Sequence, residues 1–153
     1  MDVQVPRTAR ITASMLPDTN AYVDGDLVGD LITFANAPKS GIIETLTLVD
    51  QAKQDAALDV IFFSANPSST TFTDNAALDI ADADLLKVLG VIRIAATDYC
   101  DIADNAIATL RGLGLAYVAE GGNLYACLLS NGATPTYAAT GDLLLALSII
   151  PDA

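Results

Sequence analysis

The side chains that usually carry chemistry are scarce in this chain, and the shortage sets the first limits on function. Among its 153 residues there is no His. Ser-His-Asp and Cys-His nucleophilic arrangements therefore cannot be assembled within one copy, and the usual general base and commonest metal ligand is missing. The two cysteines, Cys100 and Cys127, have no His partners for a zinc site. They can form one disulfide, but their apolar settings favour free, buried thiols. Neither has a Lys or Arg beside it to make a reactive thiolate.

Carboxylates are what remain, 19 of them, and all but Glu44 and Glu120 are Asp. Asp24-Gly25-Asp26 with Asp30 could contribute to a calcium site, since calcium takes clustered carboxylate oxygens. The spacing lacks the EF-hand pattern, and ordinary turn chemistry explains Asp-Gly. Asp79, Asp82 and Asp84 invite the same thought, but a helix start accounts for them. Paired carboxylates could support glycosidase chemistry, yet the Asp residues fall in turns and the chain has no Trp. Lys87, after Leu85-Leu86, is the one candidate for an autocatalytic Lys–Asn cross-link, and a surface Lys at a helix end is its plainer reading. Arg111-Gly112-Leu113-Gly114-Leu115 lacks the Lys and third Gly of a phosphate loop and marks a strand break or bulge. No enzyme activity, metal or cofactor is expected.

The elements that must position these residues read as short strands. Arg10 to Met15 alternates as a half-buried strand does, and Pro17-Asp18-Thr19-Asn20 closes it. A hairpin is predicted at Asp24-Gly25-Asp26, between Ala21-Tyr22-Val23 and the run Leu27 to Phe34. Further strands are expected at Gly41 to Val49, at Val60 to Phe63 as a central strand, and at Val88 to Ile94. Ala106 to Leu110, Leu115 to Val118 and Leu124 to Leu129 follow, the last entered through a hairpin loop at Glu120 to Asn123. The final strand, Leu143 to Ile150, is apolar on both faces and ends at Pro151. A short helical segment is predicted at residues 81–87, with Asp82 as its cap. Two long polar loops, 64–75 and 130–141, exceed the usual connection length, so each is functional or packed by its own side chains, such as Phe72.

This pattern predicts an all-β fold: one antiparallel β-sandwich or jelly-roll-like barrel, with residues 1–12 as a possible N-terminal arm. Hydrophobic residues make up 52% of the chain and charged ones 17%, which excludes intrinsic disorder. A net charge of −12 disfavours nucleic-acid binding by repulsion from phosphates. No stretch has the length of a membrane helix, and no signal peptide is expected at Met1 to Arg7.

Two stretches carry a resemblance. The first runs from Val60-Ile61-Phe62-Phe63-Ser64-Ala65-Asn66-Pro67 through Thr71-Phe72-Thr73-Asp74-Asn75 to Ile80 to Val91. The second is Asn123 to Tyr137, with Asp142 to Ile150 closing the chain. Over roughly the C-terminal 60% of the sequence they resemble small virion proteins of tailed bacteriophages that decorate or cement capsids. The resemblance implies a β-sandwich or jelly roll, a homotrimer, and major capsid protein as the partner on the virion surface. A tail or fibre-base component and a carbohydrate-binding surface module are the alternatives, the second calling for an aromatic platform such as Tyr125 with Tyr137.

The expected subunit or lattice interface comprises Val3, Val5, Arg7 and Arg10 in the arm, with Leu143, Leu145, Leu147 and Ile149 on the last strand. The reason is that a strand apolar on both faces needs a cover for its second face.

Overall fold

The computed structural model describes residues 8–152. Nine strands occur among them: β1 (Ala9–Ser14), β2 (Leu27–Phe34), β3 (Ser40–Asp50), β4 (Leu58–Phe63), β5 (Val88–Ile94), β6 (Tyr99–Ile102), β7 (Asn105–Val118), β8 (Leu124–Ser130) and β9 (Leu143–Pro151). They form a five-stranded sheet in the order β1-β9-β3-β7-β6 and a four-stranded sheet in the order β2-β8-β4-β5. Every pairing is antiparallel. The first strand pairs with the last, β2 with β8, β3 with β7, and β4 with β5. This nesting is a rolled-up hairpin, the strand order of a jelly roll, with β6 added beside β7.

The period-2 alternation decides what each sheet buries. Ile11, Leu147, Leu46 and Leu110 lie side by side across four strands, as do Ala13, Leu145, Leu48 and Ala108. These rows share one core with Val60 and Phe62 of β4, Leu124, Ala126 and Leu128 of β8, and Val28, Ile32 and Phe34 of β2. Gly41 serves a close approach: a Cβ there would lie 2.6 Å from the Ile150 carbonyl oxygen of the neighbouring strand.

The connection from β4 to β5, residues 64–87, does not trail into solvent. It folds as a flap over the outside of the four-stranded sheet, where Phe72, Leu78 and Ile80 pack on Leu27, Ile61, Phe63 and Cys127. Phe72 meets Phe63 edge-on, with centroids 6.2 Å apart. The flap ends in a 3-10 segment, Asp82–Lys87.

Several expectations need correction. Residues 21–23 are not a strand; Tyr22 is buried, and a turn through Gly25 leads into β2. The runs 106–110 and 115–118 belong to one strand, β7, which bulges where Gly112 and Gly114 take positive φ. The connection at 119–123 is no hairpin, because β7 and β8 lie in different sheets. Asp82 does not cap the helical segment, whose N-cap position is Ala81 without a side-chain bond. The last part of the expected arm, residues 9–12, is strand β1, whereas Met1 to Arg7 lie outside the described residues.

Candidate functional site

The expected interface on the last strand has the wrong parity. Leu143, Leu145, Leu147 and Ile149 are fully buried in the core, so they cannot meet another molecule while the chain is folded. The alternate residues of β9 face outward: Leu144 and Ser148 are partly covered, and Ile150 is 44% exposed. Apart from Ser148 both sets are apolar, so alternation gives little basis to choose between them; the ladders to β1 and β3 fix the choice. Arg10 is exposed on β1, while Val3, Val5 and Arg7 fall outside the described residues.

The outer face of the five-stranded sheet can be reconstructed row by row from its ladders. Arg10, Ser148, Thr45 and Arg111 form one row; Thr12, Ala146, Thr47 and Thr109 the next; Ser14, Leu144, Val49, Ile107 and Cys100 a third. Beyond the bulge, Ile42 lies beside Ile150 and Ala116. There the face dips into a hollow of about 310 Å³, lined in part by Ile42, Val118, Ile150 and Pro151, with the acidic Asp152 at its edge. Strands β1, β7 and β9 contain no acidic residue, and the one acid of β6, Asp101, lies in the row of the core-facing Ala106 and pairs with Lys53. The acids of β3 are Glu44, at the bulge, and Asp50, which is buried. Three cations are paired elsewhere, Lys53 with Asp101, Lys87 with Asp84, and Arg93 with Asp59. Arg10 and Arg111 have no ion-pair partner among the described residues. On a chain of net charge −12, this broad face is nearly free of negative charge, and no part of the described chain covers it.

The opposite outer face is sealed by the flap, and the remaining acids serve that seal and the loops. Asp74 Oδ1 accepts from the Tyr22 hydroxyl at 2.8 Å and from Gly29 N–H at 2.7 Å. Asp84, fully buried, accepts from Ser69 N–H, the Thr70 hydroxyl and the Lys87 ammonium. Burial pushes its carboxyl up, but those three donors overcome the effect and set it below the ordinary value. The Lys87 ammonium also meets the main-chain carbonyl of Asn66 at 2.8 Å. Its contacts are thus an ion pair and a carbonyl, not the side-chain amide that a Lys–Asn cross-link requires. Asp24 and Asp26 accept backbone N–H groups of Gly132 and Val23, and no metal-ligand cluster of three occurs among the described residues.

Both cysteines are free and Cys127 is buried under the flap, but Cys100, expected to be buried, is exposed on the open face, because it sits on the edge strand β6 opposite the outward-facing Ile107. They sit on the two opposite outer surfaces of the sandwich. Burial pushes the Cys127 thiol up to about 12. Tyr137 is buried edge-on against Tyr22, with centroids 6.0 Å apart, so it cannot join Tyr125 in an aromatic platform. Tyr125 instead lines a cleft of about 430 Å³ at one end of the sandwich with Ser64, Asn66, Val118, Glu120 and Asn123. Sequence reading misses this cleft because β7, β8 and the flap meet there only in the folded chain.

No described helix is long and apolar enough to cross a membrane. Comparison with known families finds no family model that matches the chain, and a search of curated proteins finds no match.

Proposed function

We propose that this protein is a non-enzymatic virion structural protein of a tailed bacteriophage, decorating and stabilising the capsid exterior by seating between major capsid protein subunits. The observation that supports this reading is the asymmetry of the sandwich. One outer sheet face is sealed by the chain's own flap, and the other is broad, left uncovered by the described residues and poor in acid. From strand spacing and rise, the open face measures on the order of 600 Å², close to one partner's share of a standard protein interface. The net charge of −12 keeps free copies apart, and the broad Thr-rich face with Arg10 and Arg111 offers a wide, acid-poor sheet surface for contact with another protein. The jelly-roll order is used by viral capsid domains among others, an analogy of fold that lends support without specifying function. Seating as a homo-oligomer, a trimer by the resemblance, would add multivalency to modest single contacts.

The test is the copy number of this chain, by quantitative mass spectrometry, on phage heads separated from tails. The expected result is copies on heads at a fixed stoichiometry to the major capsid protein. Recovery with tails alone would assign it to the tail or fibre base instead.

A further inference from the structure

We propose that the cleft between the flap and the β7–β8 connection binds a neutral saccharide. Its volume of about 430 Å³ falls within the ordinary range for small-molecule sites, roughly 300–1,000 Å³. Three separate segments meet around it: Ser64 and Asn66 at the start of the flap, Glu120 and Asn123 on the connection, and Val118 with Tyr125 on the strands. The side chains of Asn66, Glu120, Asn123 and Tyr125 hydrogen-bond to no other described residue. The cleft thus presents one carboxylate, two amides and a phenol, all uncommitted.

That set matches one ligand chemistry. Adjacent sugar hydroxyls each donate and accept, as amides do, and a carboxylate accepts from two at once. The C–H face of a pyranose needs an apolar wall, which the half-buried Tyr125 ring and Val118 supply. The walls are held in place from behind. Lys87 bonds the Asn66 carbonyl at 2.8 Å, and Tyr125 packs in the cluster around Phe63 under the flap. Charge narrows the class further. The lining holds Glu120 and no cation, and the nearby Lys87 ammonium is engaged by Asp84 at 2.7 Å. Sialylated, sulfated and phosphorylated ligands would meet the Glu120 carboxylate unopposed. This inference stands apart from the capsid reading, since it concerns a different surface and is tested on the free chain.

The experiment is an NMR titration of the full chain with neutral hexoses, N-acetylhexosamines and their short oligosaccharides. Sialylated glycans, sulfated glycans and spermidine serve as counter-probes. At ligand concentrations of ~10 mM, which read millimolar affinities, a neutral sugar should move the amides of residues 64–66 and 118–125. Asn123→Ala and Glu120→Gln, both on a surface connection, should each weaken binding about tenfold, the loss of about 1.4 kcal/mol, with unchanged melting temperature. The proposal is overturned if no neutral sugar shifts these amides, if the shifts map elsewhere, or if both variants bind like the wild type. Preferential binding of an anionic glycan or of spermidine overturns it equally.

Discussion

The Tyr22 hydroxyl donates to the Asp74 carboxylate across 52 residues of sequence and 2.8 Å of space. That bond ties the connection between β1 and β2 to the flap over the four-stranded sheet. Asp74 uses the same oxygen to accept from Gly29 N–H, at a glycine with positive φ inside β2. The carboxylate therefore satisfies two partly buried donors, and the hydroxyl, which also accepts from Asp18 N–H, is only one of them. Asp74→Ala should cost about 1–3 kcal/mol, the penalty for stranding buried donors. Tyr22→Phe leaves Gly29 satisfied and should cost about 0.5–1.5 kcal/mol. Urea denaturation of both variants reads the difference, and equal losses would show that Gly29 does not depend on Asp74.

Acid should loosen the flap. The folded carboxyl of Asp84 lies below its ordinary value of 3.8, its burial outweighed by the bonds from Lys87, Thr70 and Ser69. A depressed folded value stabilises fully above about pH 3.8 and is lost as pH falls through the folded value. Asp59, lowered mainly by its bond from Arg93, has the same sign. Asp50 has the opposite sign: burial raises it above 3.8 despite three backbone N–H donors, so its contribution falls as pH rises from 3.8 through its folded value. The amides of Ser69 and Thr70 should therefore shift by NMR on acidification below about 3.8, and Asp84→Asn should abolish that transition.

The two faces of β9 should respond very differently to truncation. Leu147 is fully buried among Ile11 and Leu46, so Leu147→Ala should cost about 2–5 kcal/mol through lost burial and a cavity. Ser148 faces outward beside Arg10 and Thr45, and Ser148→Ala should stay within about 0.5 kcal/mol. Chemical denaturation decides it; comparable losses would mean that the register is shifted by one residue.

That register shows where the sequence stops being legible. Strands such as β3 and β4 can be read because β-branched and apolar residues are bounded by turns. In Leu143 to Ile150 nearly every residue is apolar, so composition reveals a strand covered on both sides without saying which side is the core. Only the ladders from β1 and β3 settle that. Strand β6 escapes sequence reading because it is four residues long, follows the turn ending at Asp98 and contains Asp101, and it owes its place to pairing with β7. The flap's role is half visible in Phe72, but Asp74 and Asp84 look like turn and cap residues. Their partners lie up to 52 residues away, a distance over which spacing carries no signal. The cleft is illegible for the same reason, since its walls come from three segments.

The thiols offer a check on the layering. Cys100 is exposed and Cys127 is buried beneath the flap, its thiol raised to about 12. A disulfide reagent at neutral pH should titrate one thiol per native chain and two after denaturation, and Cys100→Ser should remove the fast one. Two fast thiols in the native chain would mean that the flap opens readily.

The open face is the part of the molecule on which a docking function stands or falls. Thr47 sits in the middle strand of the five-stranded sheet, between Ala146 and Thr109, where a partner must desolvate whatever side chain is present. Replacing it with Glu places a carboxylate in a face whose neighbouring strands β7 and β9 have none. Since the side chain points outward, folding should change little, within about 0.5 kcal/mol. On the proposed capsid role, binding to purified heads lacking this protein should fall at least tenfold, because an unpaired charge buried at an interface costs more than about 1.4 kcal/mol. Arg111→Glu, about two strand spacings from Arg10's neighbour Ser148, should weaken binding and reverse its salt dependence. Leu86→Glu, a substitution at a residue 99% exposed on the flap side, serves as the control and should bind like the wild type. Co-sedimentation with heads measures all three. If Thr47→Glu binds normally while Leu86→Glu does not, the proposed docking surface is the flap side and not the open sheet.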